Sequence, residues 1–246
     1  MQLDPRDRKF ISQTLPSIEG WLKDASAYLT CALMRHQSTL GITGSILEIG
    51  VFAGKYLSLL YHLSADTRDS IVGLDTFEFY PRPKVEKNFS AAFREKDRLI
   101  LVTSDSTLAT PQDLLISLRT NPRFISVDGA HTAQAVQSDL ALSEKLLAPG
   151  GIVAIDDFLN PRAIGVGEGA YRYFISRGSA GLVPFAFCAN KLYAARKADG
   201  DEFKRALWNF AAQNSDLAMS REFSRLAAQG KHWVEQELLE STVLIF

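Results

Sequence analysis

The chain predicts an α/β protein: one doubly wound, mostly parallel seven-stranded sheet, ending in an antiparallel hairpin and extended by helices at both ends. Three observations predict it. From residue 45 onward, short runs that are apolar throughout alternate with stretches of helical period, the pattern of a parallel sheet covered on both faces. The carboxyl ends of these runs carry glycine or aspartate: Gly50, Asp75, Asp128 and Asp156. Two further β-rich runs, 182–187 and 191–196, flank a turn at Ala189-Asn190 and read as a hairpin.

The first forty-odd residues read as helix, because Leu15, Ile18, Trp21, Leu22, Ala25, Tyr28 and Leu29 recur at helical spacing and Gly41 and Gly44 punctuate the end. Residues 45–50 form the first strand, followed by a glycine-containing turn and a helix over 55–63. Strands two to five lie at 71–75, 99–102, 124–128 and 151–156, and a long helix over 132–147 ends at Pro149-Gly150-Gly151. A further helix is expected over 164–176, and the tail after Asp201 is amphipathic helix with Phe203, Leu207 and Phe210 on one side. The economical division is a single domain: a helical cap (1–44), the core sheet (45–197) and C-terminal helices (198–246).

Composition narrows the function classes. A chain of 246 residues, 46% hydrophobic and 22% charged, can bury one large core. Its 27 basic and 28 acidic side chains leave a net charge of -1, which lends no support to nucleic-acid binding. Cys31 and Cys188, both in apolar stretches, read as buried small hydrophobes rather than a disulfide framework. The charged N-terminus lacks the apolar centre of a signal peptide, and no run approaches the roughly 20 apolar residues of a membrane span. A cytoplasmic protein with no membrane partner is the default expectation.

The segment Glu48-Ile49-Gly50-Val51-Phe52-Ala53-Gly54-Lys55 sits between strand and helix. Its glycines let the backbone bend tightly and approach a ligand at the carboxyl edge of the sheet. A nicotinamide fold would show G-x-G-x-x-G; the missing middle glycine argues against close contact with a pyrophosphate. S-adenosylmethionine carries a nucleoside and no phosphate. Asp75, 27 residues after Glu48, ends the second strand, where a carboxylate can accept both ribose hydroxyls of either kind of cofactor. Thr76 follows it, and Ser104-Asp105-Ser106 after the third strand can meet an adenine edge.

Glu48-x-Gly50-x-x-x-Gly54, Asp75 and Asp105-Ser106 resemble the cofactor motifs of class I S-adenosylmethionine-dependent methyltransferases. The likeness is closest to the bacterial group of macrocin-type sugar and catechol-type O-methyltransferases, and covers residues 45–157. It implies the Rossmann-like methyltransferase fold, and a cofactor site of Glu48, Gly50, Gly54, Lys55, Asp75, Thr76, Asp105, Ser106 and Asp128. Three close carboxylates repel unless a cation or proton sits among them, and oxygen ligation suits Mg²⁺. By the resemblance, Asp128, Asp156 and Asp157 are the candidate metal ligands, with Asp157 where an amide is usual in that group. His131 stands three residues beyond Asp128, where the catechol-type pattern places a lysine base. Its imidazole, with an ordinary pKa of about 6.5, suits proton acceptance near neutrality; Asp128 and His131 are therefore the candidate catalytic pair. Each has a blander reading: Asp128 as a cap of the following helix, His131 as a solvated first-turn residue, and Asp156-Asp157 as a turn before Pro161.

The long excursion from Phe77 to Asp97 is expected to form a lid over the substrate, and Gly165-Val166-Gly167-Glu168-Gly169 a flexible substrate-facing loop. Tyr171, Tyr173, Phe174 and Trp208 read as core, and Trp233 as a contact to a second subunit of a homo-oligomer. The leading expectation is methyl transfer to a hydroxyl oxygen of a small-molecule acceptor. An N-methyltransferase, a nicotinamide oxidoreductase opposed by Glu48 and the glycine spacing, and a degenerate binding or scaffold protein are the alternatives. The absence of an Asp/Asn-Pro-Pro-Tyr/Phe signature after the fourth strand disfavours a nucleic-acid methylase.

Overall fold

The computed structural model describes residues 1–67 and 69–246. A short helix, α1 (Pro5–Lys9), runs through a π-helical turn and a 3-10 turn to Ser17, and α2 (Asp24–Thr39) follows. Then come β1 (Ile46–Ile49), α3 (Lys55–Leu63), β2 (Ile71–Asp75), α4 (Arg82–Ala92), β3 (Leu99–Thr103) and α5 (Pro111–Leu118). β4 (Phe124–Val127), α6 (Ala133–Leu146), β5 (Ile152–Ile155) and α7 (Ile164–Arg177) complete the parallel unit. β6 (Leu182–Cys188), β7 (Lys191–Arg196), α8 (Lys197–Gln213), α9 (Ala218–Gln229), β8 (Glu235–Leu238) and β9 (Ser241–Ile245) close the chain.

The strands form one sheet in the order β3-β2-β1-β4-β5-β7-β6-β9-β8. β1 to β5 are parallel neighbours, and β7 enters antiparallel beside β5 with Ile152 opposite Ala195. Both faces are apolar because both are covered. Ile46, Ile71, Phe124 and Ile152 pack with α2, α3 and α8 on one side. Leu47, Val72, Ile125 and Val153 pack with α5, α6 and α7 on the other. Successive residues point to opposite faces, so each strand feeds both cores.

The amino edge of the sheet is sealed by a buried cation. Arg123, fully buried just before β4, donates to Asp69 (2.9 Å), to the Gln37 side chain (3.1 Å) and to the Met34 carbonyl (3.3 Å). Gln37 in turn donates to the carbonyls of Arg123 and Gly150, stitching α2 to β4 and to the turn before β5. The carboxyl edge is left open to the loops. Cys31 and Cys188 are buried as expected, and among the described residues no helix is long and apolar enough to cross a membrane.

Four expectations need correction. The sheet has nine strands rather than seven, because the tail is not helical to its end: β9 pairs parallel with β6 (Ala186 with Leu244, Phe187 with Ile245) and buries Val243 and Leu244. The excursion between β2 and β3 is mostly α4, docked through buried Val85 and Phe89. Gly165 to Gly169 form no loop but the first turns of α7. A Cβ on Gly165 would fall 2.5 Å from the His131 carbonyl, and one on Gly169 2.6 Å from that of Ala133, so these glycines let α7 lie directly on the start of α6. Tyr173 and Phe174 are core as read, but Tyr171 is exposed at 36%.

The N-terminal helix is held by charge. Asp7, with no exposed surface, accepts from Arg35 (2.7 and 2.8 Å) on α2 and from His62 (2.9 Å) on α3. Burial works to raise its pKa, but the Arg35 and His62 hydrogen bonds outweigh it and hold the carboxyl well below the usual range. Breaking a buried pair costs about 3 kcal/mol or more, so Asp7→Asn is expected to lower stability by about that amount in urea titrations at neutral pH. Because the folded pKa is depressed, this stabilisation is complete above the unfolded pKa of about 4 and fades as pH falls below it. The gap between wild type and variant therefore narrows in acid; a gap unchanged down to about pH 2 contradicts the assignment.

Candidate active site

The turn after β1 is shaped by close approach. Gly50 (φ 84°) lies where a Cβ would stand 1.8 Å from the Asp128 carbonyl, and the Asp128 N–H donates to the Ile49 carbonyl at 2.8 Å. The loops after β1 and β4 are thus in backbone contact. Gly54 (φ 83°) starts α3, and a Cβ there would press on Val85 and Phe89 of α4 at 3.1 Å. Between them, Phe52 holds φ at 46°, a conformation that bulky residues rarely adopt.

Asp75 holds that conformation. Its Oδ2 accepts from the N–H groups of Val51 (2.7 Å) and Phe52 (3.0 Å), and its Oδ1 from Phe77 (2.7 Å). A carboxylate offers about four acceptor positions, so one on Oδ1 stays open for a ligand hydroxyl. Thr76 beside it is exposed. The Phe52 ring packs on Trp21 at 5.3 Å and Tyr80 at 5.0 Å, while Lys55 donates to the Gly20 carbonyl (3.2 Å). Lys55 is therefore occupied in fastening the segment before α2 over the loop. α4 props the same loop through Asn88, which donates to the Ala53 carbonyl at 2.9 Å.

After β3, Asp105 caps a 3-10 turn, accepting from the Thr107 N–H (2.8 Å) and hydroxyl (2.7 Å), which lower its pKa. Ser106 follows, half-buried. After β4, the cap of α6 is Thr132, accepting from Ala135, so Asp128 has no capping duty. His131 Nε2 lies 3.4 Å from Asp128 and 3.6 Å from Asp157. Asp128 raises the His131 pKa through their hydrogen bond. The Asp128 carboxyl is itself pushed up, first by enclosure among the loops and then by Asp156 and Asp157, against the lowering effect of His131 and Lys191.

The structure separates the two aspartates after β5. Asp157, at φ 56°, accepts from Asn160 (3.0 Å) and Asn190 (2.8 Å) and keeps its second oxygen near His131. Atoms of Asp128, His131 and Asp157 all lie within 4.8 Å of one another, a spacing that could hold a cation. Asp156 instead is buried, its Oδ2 2.6 Å from the ammonium of Lys191. Lys191, 1% exposed at the start of β7, also sits 4.1 Å above the Tyr56 ring, and Tyr56 bonds Thr30 at 2.8 Å. Burial works to lower the Lys191 pKa, but Asp156 more than offsets it and the net shift is upward. Lys191 escaped the sequence reading because a lysine after Ala189-Asn190 looks like a solvated turn residue.

Glu48 completes the floor. In register with Ser126 on β4, it is buried, and its Oε2 and the Ser126 Oγ have no hydrogen-bond partner. Burial first, then Asp128, pushes its pKa well up. An orphaned polar atom at this edge is one a ligand donor can satisfy.

The buried pair yields a test. Lys191→Met would leave Asp156 uncompensated, a loss of about 3–5 kcal/mol. The double variant Lys191→Met/Asp156→Leu removes both charges and should recover most of it in the same urea titration. A single variant within about 1 kcal/mol of wild type contradicts the pairing.

Known proteins match this chain in fold, and a family model matches part of it. Residues 47–158 match a family model described as a methyltransferase domain. The O-methyltransferase NovP is similar in structure, with a TM-score of 0.60 at 14% identity over 70% of this chain and 80% of that one. CalS11, a TDP-rhamnose 3'-O-methyltransferase of calicheamicin biosynthesis, gives 0.55 at 18% identity over 77% and 86%. The methyltransferase MycE of the mycinamycin pathway, solved with Mg, SAH and mycinamycin VI, gives 0.52 at 19% identity over 78% of this chain and 54% of its own. Among curated proteins, no sequence matches. Residues 47–158 thus match a methyltransferase-domain model, and the sheet that carries them shares its fold with these solved methyltransferases.

Proposed function

We propose that the chain transfers a methyl group from S-adenosylmethionine to a hydroxyl oxygen of a small molecule. The observation that carries the reading is the convergence of Gly50, Asp75, Ser106, Asp128 and His131 on the loops at the carboxyl edge of one parallel sheet, where open α/β sheets bind ligands. NovP and CalS11, O-methyltransferases, and MycE, a methyltransferase, have a similar fold and lend support.

S-adenosylmethionine would supply a methyl group activated by its sulfonium. The chain's own residues divide the remaining work. Gly50 and Gly54 keep the loop free of side chains where the cofactor passes. The open position on Asp75 Oδ1 takes a ribose hydroxyl, and the orphaned Glu48 Oε2 accepts from a donor above the floor. His131, exposed beside Asp128, keeps Nε2 toward that carboxylate and takes the proton from the acceptor hydroxyl on its other ring nitrogen. Asp128 holds the imidazole in place and favours the imidazolium that results. A divalent cation held by Asp128, Asp157 and His131 would take the place of the Asp128–His131 hydrogen bond and lower the pKa of a coordinated hydroxyl itself. Asp156, paired with Lys191, stands outside that set.

Calorimetric titration with S-adenosylhomocysteine tests the reading, and micromolar binding is expected. Asp75→Ala should weaken it by about tenfold or more, through the lost ribose contact and the loosened loop. His131→Gln should lower methyl transfer by about a hundredfold with that affinity nearly kept. Absence of binding to the wild-type protein would favour a scaffold role instead.

A further inference from the structure

Asp139, on α6, is a buried carboxylate that no step above uses. It has no exposed surface, and neither of its oxygens has a hydrogen-bond partner. A charge buried without a partner costs several kcal/mol, and native structures rarely keep one without a reason. Its position supplies the reason. A Cβ placed on Gly129, the residue after Asp128, would lie 3.0 Å from Asp139 Oδ2 and 3.8 Å from the Ser106 hydroxyl. Asp139 thus lies against Gly129 where the loops after β3 and β4 meet, with the Ser106 hydroxyl beside the same residue. Leucine or alanine would fill the space behind Gly129 without the desolvation, so packing alone does not call for an acid.

We propose that Asp139 is a positioning residue for the cofactor's base: it accepts the Ser106 hydroxyl proton, which turns the Ser106 lone pairs toward the pocket to receive the amino group of a 6-aminopurine. The inference rests on the S-adenosylmethionine reading and adds base selectivity to it. Hydroxyls donate or accept as their surroundings direct. An acceptor fixed behind Ser106 makes it an acceptor in front, suited to adenine and unsuited to a 6-oxopurine, whose oxygen brings no proton. Burial pushes the Asp139 pKa up to about 6, partly offset by the Ser106 hydroxyl and reinforced by Asp105, so the carboxylate form prevails at neutral pH.

The test is calorimetric titration of the full chain with S-adenosylhomocysteine and with S-inosylhomocysteine, on wild type, Asp139→Asn, Ser106→Ala and the double variant. Wild type is expected to favour the adenine ligand by about tenfold or more. Asp139→Asn should weaken that ligand and narrow the preference to about threefold or less, because the amide can offer Ser106 a donor in place of the acceptor. Its melting temperature should hold or rise, since a buried charge has gone; a purely structural role would lower stability and leave the preference intact. Ser106→Ala, nearer the surface, should give the same narrowing, and the double variant no more. A wild-type preference retained in Asp139→Asn and Ser106→Ala overturns the inference alone. Failure of wild type to bind either ligand overturns the cofactor reading with it.

Discussion

The arrangement of the whole edge follows from one steric constraint: Gly50 stands where no side chain fits, its missing Cβ 1.8 Å from the Asp128 carbonyl. The contact brings the loops after β1 and β4 together. The turn it forces leaves the N–H groups of Val51 and Phe52 pointing outward, and Asp75 collects them. A single carboxylate at the end of β2 thereby stabilises a loop that begins on β1, holds Phe52 at a positive φ, and still keeps one acceptor position open. α4 from one side and the segment around Gly20 from the other then pack on a loop already shaped.

Charge at this edge obeys a second constraint. Glu48, Asp128, Asp156 and Asp157 crowd together at the strand ends, and like charges half removed from water repel strongly. The chain resolves the conflict residue by residue. Asp156 is neutralised by Lys191. Burial pushes the Glu48 pKa well up. Asp157 is tied by two asparagine amides. Asp128 is left with His131. At the opposite edge of the sheet Arg123 is fully buried and bonded to Asp69, Gln37 and a backbone carbonyl.

Much of this was legible in the residues. Strands apolar on both faces announced a covered parallel sheet, and helices over 55–63 and 164–177 began and ended within a residue of their pattern. Gly50, Asp75 and Asp128 could be read because each closes such a run. What escaped is what depends on partners distant in sequence. Lys191 meets Asp156 only because β7 inserts beside β5. Asp139 looks like the polar side of an amphipathic helix until the loop after β3 is placed against it. Gly165 to Gly169 carry the composition of a loop, yet their small size serves helix packing. The terminal hairpin was obscured because Glu235, Gln236 and Glu237 read as a helix surface, although 241–245 is a β-rich run that covers the edge of β6.

The central claim is that one ligand is gripped by four strand-end loops at once. Hydrogen exchange with and without saturating S-adenosylhomocysteine tests it most directly. The account predicts slower exchange together at 50–55, 75–77, 105–107 and 128–132, with the terminal hairpin and the Arg123 edge unchanged. Protection confined to another surface, or none at these four loops, would contradict it.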